Sequence, residues 1–404
     1  MDIQSKAKKL IEMIQTASVE WKSLGEVVPI SRGKRLVRSQ LQDNGQYPVY
    51  QNSLQPLGFY DDQNCRAYMT FVIAAGAAGE IGFSDIEFWA ADDCYYFDCP
   101  KEILHDKFLY YFLLSERHQL TSQIRKASVP RLGRVSIEKI KIPIPPLETQ
   151  QKIVKILDKF TELEATLEAE LALRKRQYQY YRDFLLDFDN QIGGWIADGY
   201  KGRLKDVVWK TLGEVAKIQR GASPRPISNY IIQNGDGIPW IKIGDTSLNS
   251  KYIEKTEQKI SYEGALKSRI LEEGDFVISN SMSYGRPYIL KIKGAIHDGW
   301  ASISGFKKEL NPDFLYHYLS SNDVQNYWKS KINSSSVSNL NVDIIKTLII
   351  PIPPLAEQEK IVAILDKFDT LTHSISEGLP HEIALRRKQY EYYREQLLAF
   401  PKAA

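Results

Sequence analysis

The sequence predicts an α+β protein: two mixed α/β blocks separated by a pair of long antiparallel coiled-coil helices, related by a pseudo-two-fold internal repeat. Three observations lead there. IPIPPLETQQKIVKILDKF (142–160) returns as IPIPPLAEQEKIVAILDKF (350–368), identical at fifteen of nineteen positions. ALRKRQYQYYRDFLLDF (172–188) returns as ALRRKQYEYYREQLLAF (384–400), and WKSLGEV (21–27) as WKTLGEV (209–215). Three matches in one order define a duplication. Apolar residues in both tails fall at three- and four-residue steps, whereas the stretches between read as short strands.

The elements follow in chain order as an N-terminal helical segment (1–20), a first block (21–141), a central repeat with a long helix (142–188), a glycine-containing linker (189–208), a second block (209–349) and a C-terminal repeat with a long helix (350–404). Lys6, Lys8, Lys9 and Glu12 break up the opening, which lacks the apolar stretch of a signal peptide. In the blocks TFVI (70–73), PWIKI (239–243) and DFVI (275–278) read as strands punctuated by Gly and Asn turns. Each block adds one aromatic helical patch, FLYYFL (108–113) or FLYHYL (314–319). The lead-ins Pro143, Pro145, Pro146 and Pro351, Pro353, Pro354 impose extended backbone, so each tail helix starts just after them. The expected seams are Ile153, Ile156, Phe160, Leu163, Leu167 and Ile361, Ile364, Phe368, Leu371, Ile375. They resume at Tyr178, Tyr181, Leu185, Phe188 and Tyr390, Tyr393, Leu397, Phe400. Gly378-Leu379-Pro380 in the second tail is expected to interrupt its helix.

Composition is that of a globular protein: 404 residues, 43% hydrophobic, 25% charged, net charge +3. Cys65, Cys94 and Cys99 form no CxxC pair, which points to a reduced, cytoplasmic compartment, and no apolar run approaches a membrane span of ~20 residues. Catalytic motifs are missing: there is no Asn/Asp-Pro-Pro-Tyr/Phe element and no GxxxxGK[ST] loop. Gly76, Gly79 and Gly82 are read as turn residues, the six histidines lack metal-ligand spacing, and Pro312-Asp313 and His297-Asp298 stand isolated. A catalytic or metal site is therefore not expected, and this chain is expected to bind no cofactor.

Candidate binding residues are cations and small polar groups in the blocks. Arg125, Lys126, Arg131 and Arg134 lie among small residues, and Arg32, Lys34, Arg35 and Arg38 form a second basic stretch. The second block offers Arg220, Ser223, Arg225, Lys242, Arg286 and the run Asn333, Ser334, Ser335, Ser336 with Asn339; the first adds Gln51, Asn52 and Ser53. Such residues suit phosphates and base edges. Solvated loops, a coiled-coil adaptor for non-DNA ligands, or an enzyme with an unrecognised site are the alternatives.

With WKSLGEV and WKTLGEV, the Ile-Pro-Ile-Pro-Pro-Leu lead-ins, ILDKF in both copies and the ALRRKQYEYYREQLLAF ending, the chain resembles the specificity subunits of type I restriction-modification systems. GASP (221–224), IPWIKIGD (238–245) and NSSSVSNL (333–340) resemble parts of a target-recognition domain; the first block departs, carrying YPVYQNS (47–53) instead of a Gly-x-Ser/Thr-Pro element. The resemblance implies a non-catalytic, sequence-specific DNA-binding subunit that reads a split target on double-stranded DNA, one half per block. It implies two methyltransferase subunits that use S-adenosylmethionine to modify adenine, and motor-nuclease subunits with ATP and Mg in the restriction form. The paired helices would dock the methyltransferases and set the gap, since 40 helical residues span roughly 60 Å, against ~34 Å for a turn of DNA.

Overall fold

Trp21 and Trp209, which open the two blocks, each sit on a strand that pairs with the proline lead-in at the far end of the same block. In the computed structural model Glu20–Ser23 runs antiparallel to Lys141–Ile144, with Trp21 opposite Pro143, and Val208–Thr211 runs antiparallel to Ile349–Ile352, with Trp209 opposite Pro351. Each is a two-stranded sheet, where a proline's missing N–H costs no ladder bond on the open edge. After each strand comes one helical turn, Leu24–Val27 or Leu212–Val215. Its glutamate turns back to accept the backbone N–H of Ser23 (Glu26, 2.9 Å) or Thr211 (Glu214, 2.6 Å). That bond is why the Ser/Thr-Leu-Gly-Glu pattern recurs. Structure is described for residues 3–125, 128–188, 207–233, 235–246, 250–280, 285–333 and 339–402.

The chain divides into two compact units, Met1–Thr166 with Ile383–Ala404, and Leu167–Glu382. These cut through both tails, so each unit takes the beginning of one repeat and the end of the other. Within the first unit a four-stranded antiparallel sheet runs Ile30–Arg32, Cys94–Phe97, Met69–Ile73, Ile81–Ser84, beside a three-stranded sheet of Gly58–Tyr60, Tyr47–Tyr50 and Trp89–Ala90. The second unit repeats the first order as Lys217–Arg220, Trp300–Ser304, Phe276–Ser279, Pro287–Leu290, and appends Tyr252–Ile253. Its other sheet has five strands: Ile231–Ile232, Gln258–Ile260, Ile238–Ile241, Gly294–Ile296 and Arg269–Leu271. Both aromatic patches are helices, Asp106–Ser115 and Pro312–Leu319, as their spacing predicts. Gly76 and Gly79 occupy turns with positive φ, but Gly82 does not: it lies in a strand, where a Cβ would stand 2.3 Å from the Phe71 ring.

The first tail is a single 40-residue helix, Leu147–Leu186, and the second breaks into Leu355–His373 and Leu379–Leu398 around Gly378 (φ +83°). In the first unit Ile153, Leu157 and Phe160 share a core with Tyr393, Leu397, Phe400 and the N-terminal helix Ile3–Gln15. Phe160 stacks on Tyr393 at 5.1 Å while Glu164 pairs with Arg387, so the helices run antiparallel. In the second unit Tyr178 and Tyr181 both stack on Phe368 (6.2 and 5.4 Å), and Tyr178 also meets His373. The direction is again antiparallel.

The seams differ from expectation at three places. Leu163 is 37% exposed and Ile364 39%, and Ile375, at 79%, falls in the break between the two helices. Leu365, not Ile364, is the buried partner one turn after Ile361. The equivalent Ile156 is buried because Ile3 and Leu10 of the N-terminal helix face the same groove.

One buried glutamine fixes each lead-in. Gln150 accepts the His105 N–H at 2.8 Å and donates to the carbonyls of Ile103 and Pro145 at 2.8 Å. Gln358 makes the same three bonds with Asn311, Glu309 and Pro353, at 2.7, 2.8 and 2.8 Å. These amides tie strand end, helix start and the turn before the aromatic helix to one point. Among the described residues no helix is long and apolar enough to cross a membrane. The three cysteines are buried free thiols, and burial pushes the Cys65 thiol up to about 12.

Candidate nucleic-acid interface

Arg32 and Arg220 end the first strand of their respective sheets, each eleven residues after the tryptophan that opens its block and each followed by glycine. The glycines are required: a Cβ at Gly33 would stand 2.1 Å from the Ala91 carbonyl oxygen, and one at Gly221 2.1 Å from that of His297. The Gly33 N–H bonds Cys94 O at 3.0 Å and the Gly221 N–H bonds Trp300 O at 2.8 Å. This close approach turns the arginine along the edge, where Nε donates to the carbonyl of Asp92 (2.6 Å) or Asp298 (3.3 Å). The rest of each exposed guanidinium remains available, and a positioned arginine fork suits phosphate oxygens or guanine O6 and N7. A fixed Trp-to-Arg-Gly spacing in both halves was the sequence signal for this pair.

In the first unit Arg32, Arg125 and Arg131 line one cleft of about 320 Å³ with Ala74, Asp93, Tyr95 and Leu132. Backbone bonds hold Arg125 and Arg131 together (2.9 and 3.3 Å), and the Leu132 N–H anchors Arg131's neighbour to Ala74 O at 2.8 Å. Three of the predicted arginines are thus gathered from two distant segments. Lys126 lies outside the described residues. Lys34, Arg35 and Arg38 are exposed on the following loop, and Arg134 opens the next short helix paired with Glu138 at 2.7 Å. Gln51 and Ser53 are partly buried and Asn52 exposed; Ser53 Oγ donates to Gln55 O at 3.0 Å.

The second unit builds its counterpart around Asp298. Ser223 Oγ donates to Asp298 Oδ1 at 2.9 Å, Asn280 Nδ2 donates to its carbonyl at 3.2 Å, and Arg225, 85% exposed, stands 3.7 Å from Oδ2. His297 Nε2 lies 3.0 Å from Oδ1, so the isolated His-Asp pair belongs to this cluster. Burial acts to raise the Asp298 carboxyl, but the Ser223 bond and the neighbouring His297 and Arg220 hold it below the usual range. A charged Asp298 keeps Ser223 oriented and leaves Arg225 reaching outward. Lys242 lies 4.0 Å from Glu257, and Asn339 is exposed. Arg286 lines a different cavity, with Arg182. The Asn333 side chain and Ser334, Ser335 and Ser336 lie outside what is described.

The units also carry matching polar anchors, centred on the aspartates of the two ILDKF segments. Tyr111 donates to Asp158 at 2.6 Å, and at the same place in the repeat His317 Nε2 bonds Asp366 at 2.8 Å. Lys107 joins Asp158 at 2.9 Å; Lys251, nearly fully buried, bridges Asp313 (2.7 Å) and Asp366 (2.8 Å). Burial opposes the Lys251 charge, yet the two carboxylates raise its pKa. Burial likewise acts to raise Asp366, but bonds from His317 and Lys251 bring it down to about 2.

A cationic cleft in one unit and an arginine–serine cluster in the other, set on one repeated frame, present two unlike groups of side chains suited to a polyanion. A family model described as the type I restriction modification DNA specificity domain matches residues 18–173 and 205–385. The specificity subunit of the type I restriction enzyme EcoR124I/EcoR124II of Escherichia coli is 32% identical, over 98% of each chain. The crystal structure of a type I restriction-modification S subunit from M. genitalium superposes with TM-score 0.60 at 18% identity, covering 96% of this chain and 98% of that one. A chain from structural work on assembly and conformational transition of the type I system does so with TM-score 0.63 at 16% identity, over 95% and 98%. The chain belongs to the type I restriction-modification specificity-subunit family. These relatives carry the name of the subunit that specifies, not of one that methylates or cuts.

Proposed function

We propose that this subunit reads a bipartite sequence on double-stranded DNA, the Arg32–Arg125–Arg131 cleft taking one half and the Arg220–Ser223–Arg225 cluster the other. One observation carries the reading: the same strand-end arginine, fixed by the same Arg-Gly geometry, is surrounded by different side chains in the two units. A common contact with divergent neighbours is what reading two unlike half-sites requires. The helical tails dock two methyltransferase subunits, which supply S-adenosylmethionine and flip out the target adenine. In the restriction form motor-nuclease subunits bring ATP and Mg. The length of the helix Leu147–Leu186, shared by both units, sets the unspecified gap.

Mapping methylated sites in cells that carry this chain with its methyltransferase tests the reading. A split motif is expected, whose one half relaxes in Arg32→Ala and the other in Arg220→Ala. A seven-residue insertion beside Leu167 should alter the gap. An unsplit motif, or both halves relaxing together in either variant, would overturn the assignment.

A further inference from the structure

The second unit contains a cavity of about 370 Å³ lined by Tyr178, Arg182, Arg286, Tyr316, Gln325 and Asp369, among others. Two guanidiniums open into it. Each lies over a tyrosine ring, Arg182 over Tyr178 at 5.3 Å and Arg286 over Tyr288 at 5.5 Å. The buried Nε of Arg182 has no hydrogen-bond partner, a costly state for a buried donor. The one carboxylate present, Asp369, is already engaged: it accepts from Tyr178 Oη at 3.3 Å and faces His373 Nδ1 at 3.1 Å. Two arginines against one aspartate leave the fixed charges of the lining at +1.

The first unit shows that the shared frame does not demand this arrangement. Counting along the duplicated hairpin, Gly79 and Gly285 take the same positive φ and bond back to Ile73 and Ser279 alike. The next residue is Glu80 in the first unit and Arg286 in the second. After ILDKF the first unit has Thr161 where the second has Asp369. Arg182 has its counterpart in Arg394, whose Nε is also buried without a partner. One arginine is therefore common to both units, and its second arginine and its carboxylate belong to the second unit alone.

We infer that the Arg182–Arg286 cavity binds a phosphoryl group, held between two guanidinium forks and supplying the acceptor that Arg182 Nε lacks. Arginine pairs match tetrahedral oxyanions by paired N–H donors. Free phosphate and a backbone phosphate of DNA offer the same chemistry. This site is separate from the proposed half-site clefts and stands whether or not those read bases.

The test uses the full chain, with inorganic phosphate and a 30-base-pair duplex as probes. Thermal melts in sodium phosphate are compared with melts in sodium chloride of equal ionic strength. A saturable rise in the melting of the second unit with phosphate is expected, lost in Arg286→Glu and in Arg182→Gln. Duplex anisotropy then separates the sources. If the DNA backbone is the ligand, Arg286→Glu lowers affinity about tenfold and flattens the salt dependence by about one ion. If free phosphate is the ligand, duplex affinity in Arg286→Gln stays at the wild-type value while the phosphate shift vanishes. Either pattern supports the site. A phosphate effect no larger than that of chloride, or an equal effect in variants whose circular dichroism is native, overturns it.

Discussion

At one position of the duplicated aromatic helix the first unit carries Tyr111 and the second His317, and both reach the aspartate of an ILDKF segment. Around Tyr111 the anchor is a phenol, one carboxylate and the partly exposed Lys107. Around His317 it is an imidazole with no exposed surface, two carboxylates and a buried lysine. The scaffold therefore asks only for a hydrogen-bond donor facing Asp158 or Asp366. Which donor is used decides how each unit responds to pH. At this position the first unit carries a phenol that stays neutral across physiological pH, the second an imidazole whose pKa burial lowers.

Four experiments break or sharpen that contrast. The largest effect is expected where the units are alike. Gln150→Leu strands two carbonyls and one N–H in the first unit and should cost on the order of 3–5 kcal/mol there, with Gln358→Leu doing the same in the second. Hydrogen exchange resolved by peptide should show each loss confined to its own unit; a loss spread over both would mean that the units do not fold independently. Next come the strand-end arginines: Arg32→Ala or Arg220→Ala should each lower specific DNA affinity by about 1–3 kcal/mol, measured by anisotropy at fixed salt.

The third experiment concerns acid. Burial depresses the His317 pKa below 6.5, so the unfolded chain takes up the proton more readily. Stability from this group is therefore full above that pH and declines as pH falls below it. Asp366, at about 2 against 3.8, adds stability present above pH 4 and lost on the way down to 2. Tyr111 titrates in neither window, and His105 in the first unit, also lowered by burial, is only half-buried. His317→Tyr should flatten the second unit's melting profile between pH 7 and 5; an unchanged slope would remove His317 from the account. Smallest is Arg387→Ala at the exposed Glu164 pair, expected to change stability by less than about 1 kcal/mol in chemical denaturation.

Much of this was legible in the sequence because it is local. Proline lead-ins, a helix period, an aromatic patch and the Gly-Leu-Pro break each act within a few residues, and each appears where it was read. Long-range geometry was not legible in that way. Nothing near Trp21 announces that it will pair with Pro143, and Ile364 and Ile156 have the same local pattern but different covers. Arg32, Arg125 and Arg131 share a cleft because Arg125 and Arg131 bond each other and the neighbouring Leu132 is pinned to Ala74. Gly82, read as a turn, is there to make room for Phe71.

Because the unit built from Leu167–Glu382 is one uninterrupted stretch, a ribosome finishes it while the other still waits. Tyr393, Leu397 and Phe400 complete the core begun by Leu10 and Ile153, so the earliest-made segment is the last to be sealed. A chain stopped short of residue 383 would leave its own beginning with an open apolar face, a ready target for quality-control proteases.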